Sequence, residues 1–167
     1  MVLTRVFLGI GGNLVPEGYA SVRAGCDAAI EQLAASGFAD LESSPWYETA
    51  PVPVSDQPWY MNAVISATTS MPPDVTLAAI HAVEADFGRV RGVRNAARVL
   101  DIDLLDYGGM VLQSDAITLP HPRMHQRAFV LLPLRDLAPD WVHPVLQQAV
   151  GPLIAALPPD QEIRRAE

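Results

Sequence analysis

The order of strand-like and helix-like segments is the feature of this sequence that most restricts its fold. Four segments have the composition and alternation of strands, at 5–10, 38–46, 59–69 and 99–107. Two others have helical spacing, at 17–36 and 72–87. The order strand, helix, strand, strand, helix, strand predicts an α+β fold of the ferredoxin-like type (βαββαβ), an antiparallel sheet with helices packed on one face.

Further segments follow this predicted core. Gly108-Gly109 should turn the chain, and the short apolar run at 110–112 predicts a hairpin return. We expect a short helix over 123–137, interrupted at Pro133, and a C-terminal helix over 145–157.

Length and charge restrict the class of protein. The 167 residues are 50% hydrophobic, and we expect a single domain over 1–160 with a short tail at 161–167. The formal net charge of -8 argues against nucleic acid or an anionic membrane as a partner, because both need a positive surface.

All 11 basic residues are arginines. The absence of lysine excludes a phosphate-binding P-loop lysine, a Schiff base and a lysine general base. The lone Cys26 cannot form an internal disulfide, and no apolar run approaches the roughly 20 residues that span a bilayer. We therefore expect a cytoplasmic protein.

Two acidic residues two positions apart, Asp101 and Asp103, lie on one predicted strand and should project from the same face. A solvated or arginine-paired face is one interpretation of such a pair. The other is a site for one or two Mg²⁺ ions, which prefer oxygen ligands and are commonly shared between carboxylates and phosphates.

Four arginines precede the acidic pair within residues 88–98, a stretch that contains no acid: Arg89, Arg91, Arg94 and Arg98. A solvated loop is the simpler interpretation for any one of them. Four together beside two carboxylates favour a nucleoside triphosphate site, because guanidinium groups bind phosphate oxygens bidentately.

Three further residues are candidate ligand contacts. Tyr60 and Asn62 share a strand face and together offer an aromatic surface beside an amide, which suits a heteroaromatic ring with an amide-like edge. His121 is fixed between two prolines, so that it is either a rigid ligand contact or part of a structural turn. The other histidines, His81, His125 and His143, are predicted to be structural.

Taken together, these pieces resemble the 6-hydroxymethyl-7,8-dihydropterin pyrophosphokinases of folate biosynthesis, from Val6 to about Pro144. The residues that carry the resemblance form six blocks, 8–13, 47–51, 56–62, 84–91, 98–105 and 119–134. The last two blocks, which contain Leu-Asp-Ile-Asp-Leu-Leu and Leu-Pro-His-Pro-Arg-Met, are the most specific in combination.

The resemblance implies transfer of a pyrophosphoryl group from MgATP to the hydroxymethyl oxygen of the pterin, with release of AMP. It implies that Asp101 and Asp103 hold two Mg²⁺ ions and that Arg89 and Arg91 are catalytic. By the same resemblance, the ATP contacts are Glu84, Arg89, Arg91, Arg98, Thr118, His121 and Arg127. The implied pterin contacts are Thr49, Pro51, Val52, Tyr60, Asn62 and Phe129. A monomer is also expected.

Two departures from the family pattern affect nucleotide binding and loop closure. Asn95 stands where many relatives have a tryptophan, and Ala116 stands where the enterobacterial type has an arginine. Two other functions remain open: a different Mg²⁺-dependent phosphoryl or nucleotidyl transferase, and a non-catalytic ferredoxin-like ligand-binding module.

Overall fold

The computed structural model describes residues 2–51, 55–88 and 99–166. The strands are β1 (Thr4–Gly12), β2 (Ala39–Ser43), β3 (Tyr47–Thr49), β4 (Tyr60–Thr69), β5 (Asp101–Tyr107), β6 (Leu112–Gln113), β7 (Thr118–Leu119) and β8 (Ile163–Arg165). The helices are α1 (Val22–Ala34), α2 (Pro73–Asp86), α3 (Ala128–Leu137) and α4 (Val150–Ala155), with a 3₁₀ turn at Met124–Gln126. The α+β class predicted from the sequence is confirmed.

One antiparallel sheet organises the molecule, in the order β5-β1-β4-β3-β8, with β2 also paired to β4. The interior strand β1, which lies between β5 and β4, carries glycines at two positions where the site lies. Gly11 is opposite Asn62 on β4 and opposite Asp101 on β5, while Gly9 is opposite Asp103. The sheet register therefore brings residues from three distant parts of the chain into one row.

Helices cover both faces of the sheet, so the expectation of helices on one face is wrong for the whole molecule. The residues Val6, Leu8 and Ile10 of β1 pack in a core with α1 and α2. Phe7, from the opposite face of the same strand, packs with α3 and α4 in a second core. Alternation along β1 buries both faces because apolar side chains lie on each of them.

Local geometry changes three other expectations. Residues 110–112 do not return along β5; β6 pairs with β7 instead. Pro133 lies inside a continuous α3 rather than interrupting it. The C-terminal helix is limited to Val150–Ala155, because His143 Nδ1 accepts hydrogen bonds from the amides of Val145 and Leu146 and holds that segment in a turn.

Within the expected tail at 161–167, Ile163–Arg165 forms β8 and is part of the sheet, since it pairs with β3. Arg164 forms an ion pair with Glu48 of β3 at 2.8 Å, and Arg165 forms one with Asp136 of α3 at 2.9 Å. The C-terminal strand is therefore attached both to the sheet and to the helix that covers this face.

Candidate active site

Asp101 and Asp103 project from the same face of β5, as predicted, while Ile102 between them is buried in the core beneath α2. The Ile102 amide donates a hydrogen bond to Glu84 Oε2 at 2.9 Å, and Arg127 Nη1 lies 3.8 Å from Asp103 Oδ2. The first contact holds the backbone of β5, and the second holds the carboxylate of Asp103.

One cavity, which we call the first cavity, is about 520 Å³ in volume and opens over the glycines of β1. Four predicted pterin contacts line it, Thr49, Tyr60, Asn62 and Phe129. Asn62 Nδ2 donates to Thr49 Oγ1 at 2.8 Å, which fixes the amide at the cavity wall. An aromatic pair and an oriented amide at one wall suit a flat polar heterocycle.

Close packing against Gly11 sets the position of that amide. A Cβ atom on Gly11 would lie 2.5 Å from both Asn62 Oδ1 and the Met61 carbonyl oxygen. Only glycine permits this approach without moving the backbone or the amide. The glycine at position 11 therefore has a specific steric function in the cavity.

Asn13 fixes the segment that leads into Tyr60. Its Nδ2 donates to Gln57 Oε1 at 3.2 Å and to the Pro58 carbonyl oxygen at 3.0 Å. The asparagine that ends the glycine turn after β1 thus holds the proline-containing loop beside the first cavity.

The second cavity, about 360 Å³, lies on the other side of the acidic pair. It is lined by three of the predicted ATP contacts, Glu84, Thr118 and His121, together with Ala116. Asp101 and Asp103 line both cavities. The carboxylates therefore stand at the junction of two spaces, each of which contains a different set of predicted contacts.

His121 is held as a neutral imidazole. Burial, with a smaller effect from the Arg127 guanidinium, lowers its pKa from 6.5 to about 4. Its Nδ1 accepts a hydrogen bond from the Arg123 amide at 3.2 Å, so the neutral ring carries its proton on Nε2. At neutral pH this side chain can donate one hydrogen bond.

Two predicted contacts do not line the cavity that holds the rest of their set. Arg127, predicted to bind ATP, lines the first cavity, and Pro51, predicted to bind the pterin, is buried and lines neither cavity. Six predicted or discussed positions lie outside the described residues: Val52, Arg89, Arg91, Arg94, Asn95 and Arg98.

The structure adds residues that the sequence did not indicate. The segment Asp160–Ile163 forms part of the wall of the first cavity, and His81, predicted to be structural, lines the second. The spacing of His81 on α2 relative to Glu84 was the available signal for one of them, since residues three apart share a helix face. The segment at 160–163 had no comparable pattern.

Within the described ranges, no group of three or more His, Cys, Asp or Glu side chains could hold a metal ion, and no helix is long and apolar enough to cross a membrane. Two carboxylates at the junction of two cavities nevertheless suit a cation that is shared with a phosphate-bearing ligand, since Mg²⁺ commonly takes only one or two carboxylates from the protein. The α+β fold with this site is therefore typical of a metal-assisted phosphoryl-transfer enzyme.

Comparison with known proteins identifies the family. A model of the 7,8-dihydro-6-hydroxymethylpterin-pyrophosphokinase (HPPK) family matches residues 7–139, and the chain belongs to that family. It is 40% identical over 141 residues to the 2-amino-4-hydroxy-6-hydroxymethyldihydropteridine pyrophosphokinase of Methylorubrum extorquens, covering 84% of this chain and 86% of that protein. The resemblance seen in the sequence is confirmed, and with it the enzyme class, a diphosphokinase.

Other relatives are much longer. The chain is 38% identical to the folic acid synthesis protein fol1 of Pneumocystis carinii over 117 residues. This match covers 70% of this chain but only 16% of that protein. A crystal structure of Plasmodium falciparum HPPK-DHPS has a TM-score of 0.69 at 14% identity, covering 92% of this chain and 44% of that one. This second likeness supports the fold.

Proposed function

We propose that this protein transfers the pyrophosphoryl group of ATP to the hydroxymethyl oxygen of 6-hydroxymethyl-7,8-dihydropterin, giving the pterin diphosphate and AMP in folate biosynthesis. The observation that carries the proposal is the position of Asp101 and Asp103 at the junction of two cavities. Membership of the pyrophosphokinase family supports the choice of substrates.

The first cavity is the proposed pterin site. The pterin ring would stack between Tyr60 and Phe129, and the Asn62 amide, held by Thr49, would bind the polar edge of the pterin. An amide both donates and accepts hydrogen bonds, as the adjacent ring N–H and carbonyl of a pterin require. The backbone near Pro51 and Val52 completes this proposed site.

The second cavity is the proposed nucleotide site, with Glu84, Thr118 and His121 beside the phosphates or the nucleoside. Arg89, Arg91 and Arg98 would bind the phosphates together with Arg127. Arginine suits this task because its planar fork of donors matches a phosphate bidentately.

Two Mg²⁺ ions are proposed at Asp101 and Asp103. The donor set fits: both groups are oxygen ligands on one strand face, and both open onto the two cavities. When bound, the ions would neutralise phosphate charge in the transition state. Arg127, 3.8 Å from Asp103, holds that carboxylate at the mouth of the pterin site.

The remaining catalytic contribution is alignment. The pterin hydroxyl oxygen forms a bond to the β-phosphorus, the bond from that phosphorus to the α-phosphate oxygen breaks, AMP leaves, and the hydroxyl proton passes to solvent. Holding the two substrates in line from opposite cavities removes the entropic cost of their encounter. Neutral His121 can donate one hydrogen bond to a phosphate oxygen.

Three finer descriptions belong to the same proposal. A ferredoxin-like fold is supported by the order β5-β1-β4 with β2 and β3 beyond β4. A cytoplasmic location is supported by the single cysteine, Cys26, whose buried thiol has a pKa raised to about 12 by desolvation. A monomer is supported by the family resemblance.

The test measures AMP formation from MgATP with and without the pterin alcohol. Pterin-dependent AMP supports the proposal, whereas AMP that forms equally without pterin points to a different phosphoryl or nucleotidyl transferase. Asp101→Asn and Asp103→Asn should abolish AMP formation without unfolding the protein. Asp40→Asn is the matched control, because Asp40 is exposed and its φ of 53° suits asparagine equally well.

A further inference from the structure

The start of α3 carries two proposed substrate contacts, Arg127 at the N-cap position and Phe129 as the second residue of the helix. Arg127 makes no side-chain capping hydrogen bond to the helix. The first amides of a helix lack intrahelical partners and need an acceptor from elsewhere in the protein. Another residue must therefore supply the acceptor for the first amide of α3.

Gln161 supplies the missing contacts from a distant part of the chain. Its Oε1 accepts a hydrogen bond from the Ala128 amide at 2.8 Å, and its Nε2 donates to the Gln126 carbonyl oxygen at 2.8 Å. One side-chain amide thus bridges the backbone on both sides of Arg127. The geometry restricts rotation of the segment 126–128 as well as satisfying an orphan amide.

Gln161 is itself held in a fixed position by its neighbours. The Ala50 amide donates to the Glu162 carbonyl oxygen at 3.1 Å, and β8 pairs with β3 directly afterwards. Arg165, at the end of β8, forms an ion pair with Asp136 near the end of α3. The C-terminal segment therefore contacts α3 at both ends, with Gln161 at the end next to the cavity.

We propose that Gln161 is a positioning residue for the pterin site, acting through the backbone of 126–128 on Phe129 and Arg127. This inference rests on the proposed function, since it takes those two side chains as the contacts of pterin and phosphate. Gln161 itself lines the first cavity beside Asp103 and Phe129. Its effect is to hold the Phe129 ring and the Arg127 guanidinium in fixed positions relative to the Asp103 carboxylate.

Loss of the bridge should affect the pterin more than the nucleotide. Removing two hydrogen bonds from an otherwise intact turn should raise the KM for the pterin about five- to tenfold. The KM for MgATP should rise less, by about twofold, because Arg127 is the one proposed nucleotide contact that the bridge positions, and Gln161 does not line the proposed nucleotide cavity. A purely structural loss would lower both affinities together with the melting temperature.

The experiment compares three substitutions at Gln161 in the full chain. Gln161→Ala removes both hydrogen bonds, Gln161→Asn keeps the amide on a stem too short to bridge, and Gln161→Glu keeps an acceptor for the Ala128 amide. The matched control is Gln148→Ala, because Gln148 is exposed, lines neither cavity and contributes only a backbone carbonyl to His143. Steady-state kinetics are combined with hydrogen exchange at the Ala128 amide and with thermal unfolding.

We expect Gln161→Ala and Gln161→Asn to raise the KM for pterin and to speed exchange at Ala128, with the melting temperature close to that of the control. Gln161→Glu should recover most of the Ala128 protection and part of the pterin affinity. An active Gln161→Ala variant with control-like kinetics would overturn the inference, as would a raised KM with unchanged exchange at Ala128. A wild-type protein that forms no pterin-dependent AMP would overturn the proposed function, and this inference with it.

Discussion

The carboxylate of Glu84 accepts a hydrogen bond from the backbone amide of Ile102, the residue between Asp101 and Asp103, at 2.9 Å. Glu84 is only 1% exposed, and β5 lies at the edge of the sheet, so this amide points away from β1. On the same outer edge, the His121 amide donates to the Leu105 carbonyl oxygen at 2.9 Å. The strand that carries the acidic pair is thus fixed on the side where none of the described strands pairs with it.

Replacing Glu84 tests this attachment. Glu84→Ala should lower the free energy of unfolding by about 2–3 kcal/mol, because it leaves the Ile102 amide buried without its charged acceptor. Glu84→Gln keeps an acceptor oxygen and should cost about half as much. Urea unfolding measures both, and kcat/KM for AMP formation should follow the same order. Asp86→Asn, at an exposed position on the same helix, is the control, because it keeps an oxygen that can accept from Gln32; equal losses there would show that Glu84 has no special role.

A methyl group at position 11 should disturb the pterin cavity directly. Gly11→Ala places a Cβ 2.5 Å from the Asn62 amide oxygen and the Met61 carbonyl oxygen, so one of them must move. We expect about 1–3 kcal/mol of destabilisation and a raised KM for the pterin. Gly151→Ala is the matched control, because a Cβ there meets no atom within 4 Å. Unchanged pterin affinity in Gly11→Ala would contradict the position given to Asn62.

Asp106 should make the protein less stable at neutral pH than an amide would. Burial raises its pKa, and the hydrogen bond that Trp141 Nε1 donates to Oδ2 at 3.4 Å, together with the backbone amides of Gly109 and Tyr107, offsets this only in part. A raised pKa in the folded state means that the ionised form is disfavoured by folding, so the penalty is present at pH 7 and disappears as the carboxyl is protonated. Asp106→Asn should therefore raise the melting temperature at pH 7 and have a smaller effect near pH 4. The reverse pH dependence would be incompatible with a buried, poorly solvated carboxylate.

Acid should destabilise the fold partly through His121. Its pKa of about 4 in the folded protein lies below the ordinary value of 6.5, because the ring is buried. As the pH falls from 6.5 towards 4, the unfolded chain binds a proton that the folded chain does not, and stability decreases. His121→Gln removes this proton uptake and should reduce the loss of stability between pH 7 and pH 4.5 by about 2 kcal/mol. Urea unfolding at the two pH values measures the difference, and parallel losses in variant and wild type would contradict it.

The sequence predicted the parts of the molecule that depend on local pattern. Alternation over 59–69 placed Tyr60 and Asn62 on one face and Ile65 on the other, and β4 has that arrangement. The spacing of Asp101 and Asp103 likewise predicted a shared face. In both cases a strand of seven or more residues has a period of two that the sequence displays directly.

What the sequence did not predict depends on contacts between distant residues. Gln161 bonds to residues 33 and 35 positions away, and no local pattern marks a glutamine for such a bridge. β8 has only three residues, too few to show alternation. The sheet has helices on both faces because α3 and α4, which follow β5 in the chain, pack on the face opposite α1 and α2. The sequence pattern did not indicate on which face these two helices would lie.

The position of β8 has a consequence for biosynthesis. Among the described strands it is the last to leave the ribosome, although it pairs with β3, which is synthesised more than one hundred residues earlier. Until then the outer edge of β3 lacks its partner strand β8, and the wall of the first cavity that Asp160–Ile163 form is missing. The nascent chain can form β1, β4 and β5 earlier, but the proposed pterin cavity is complete only when residues 160–165 have emerged and closed that wall.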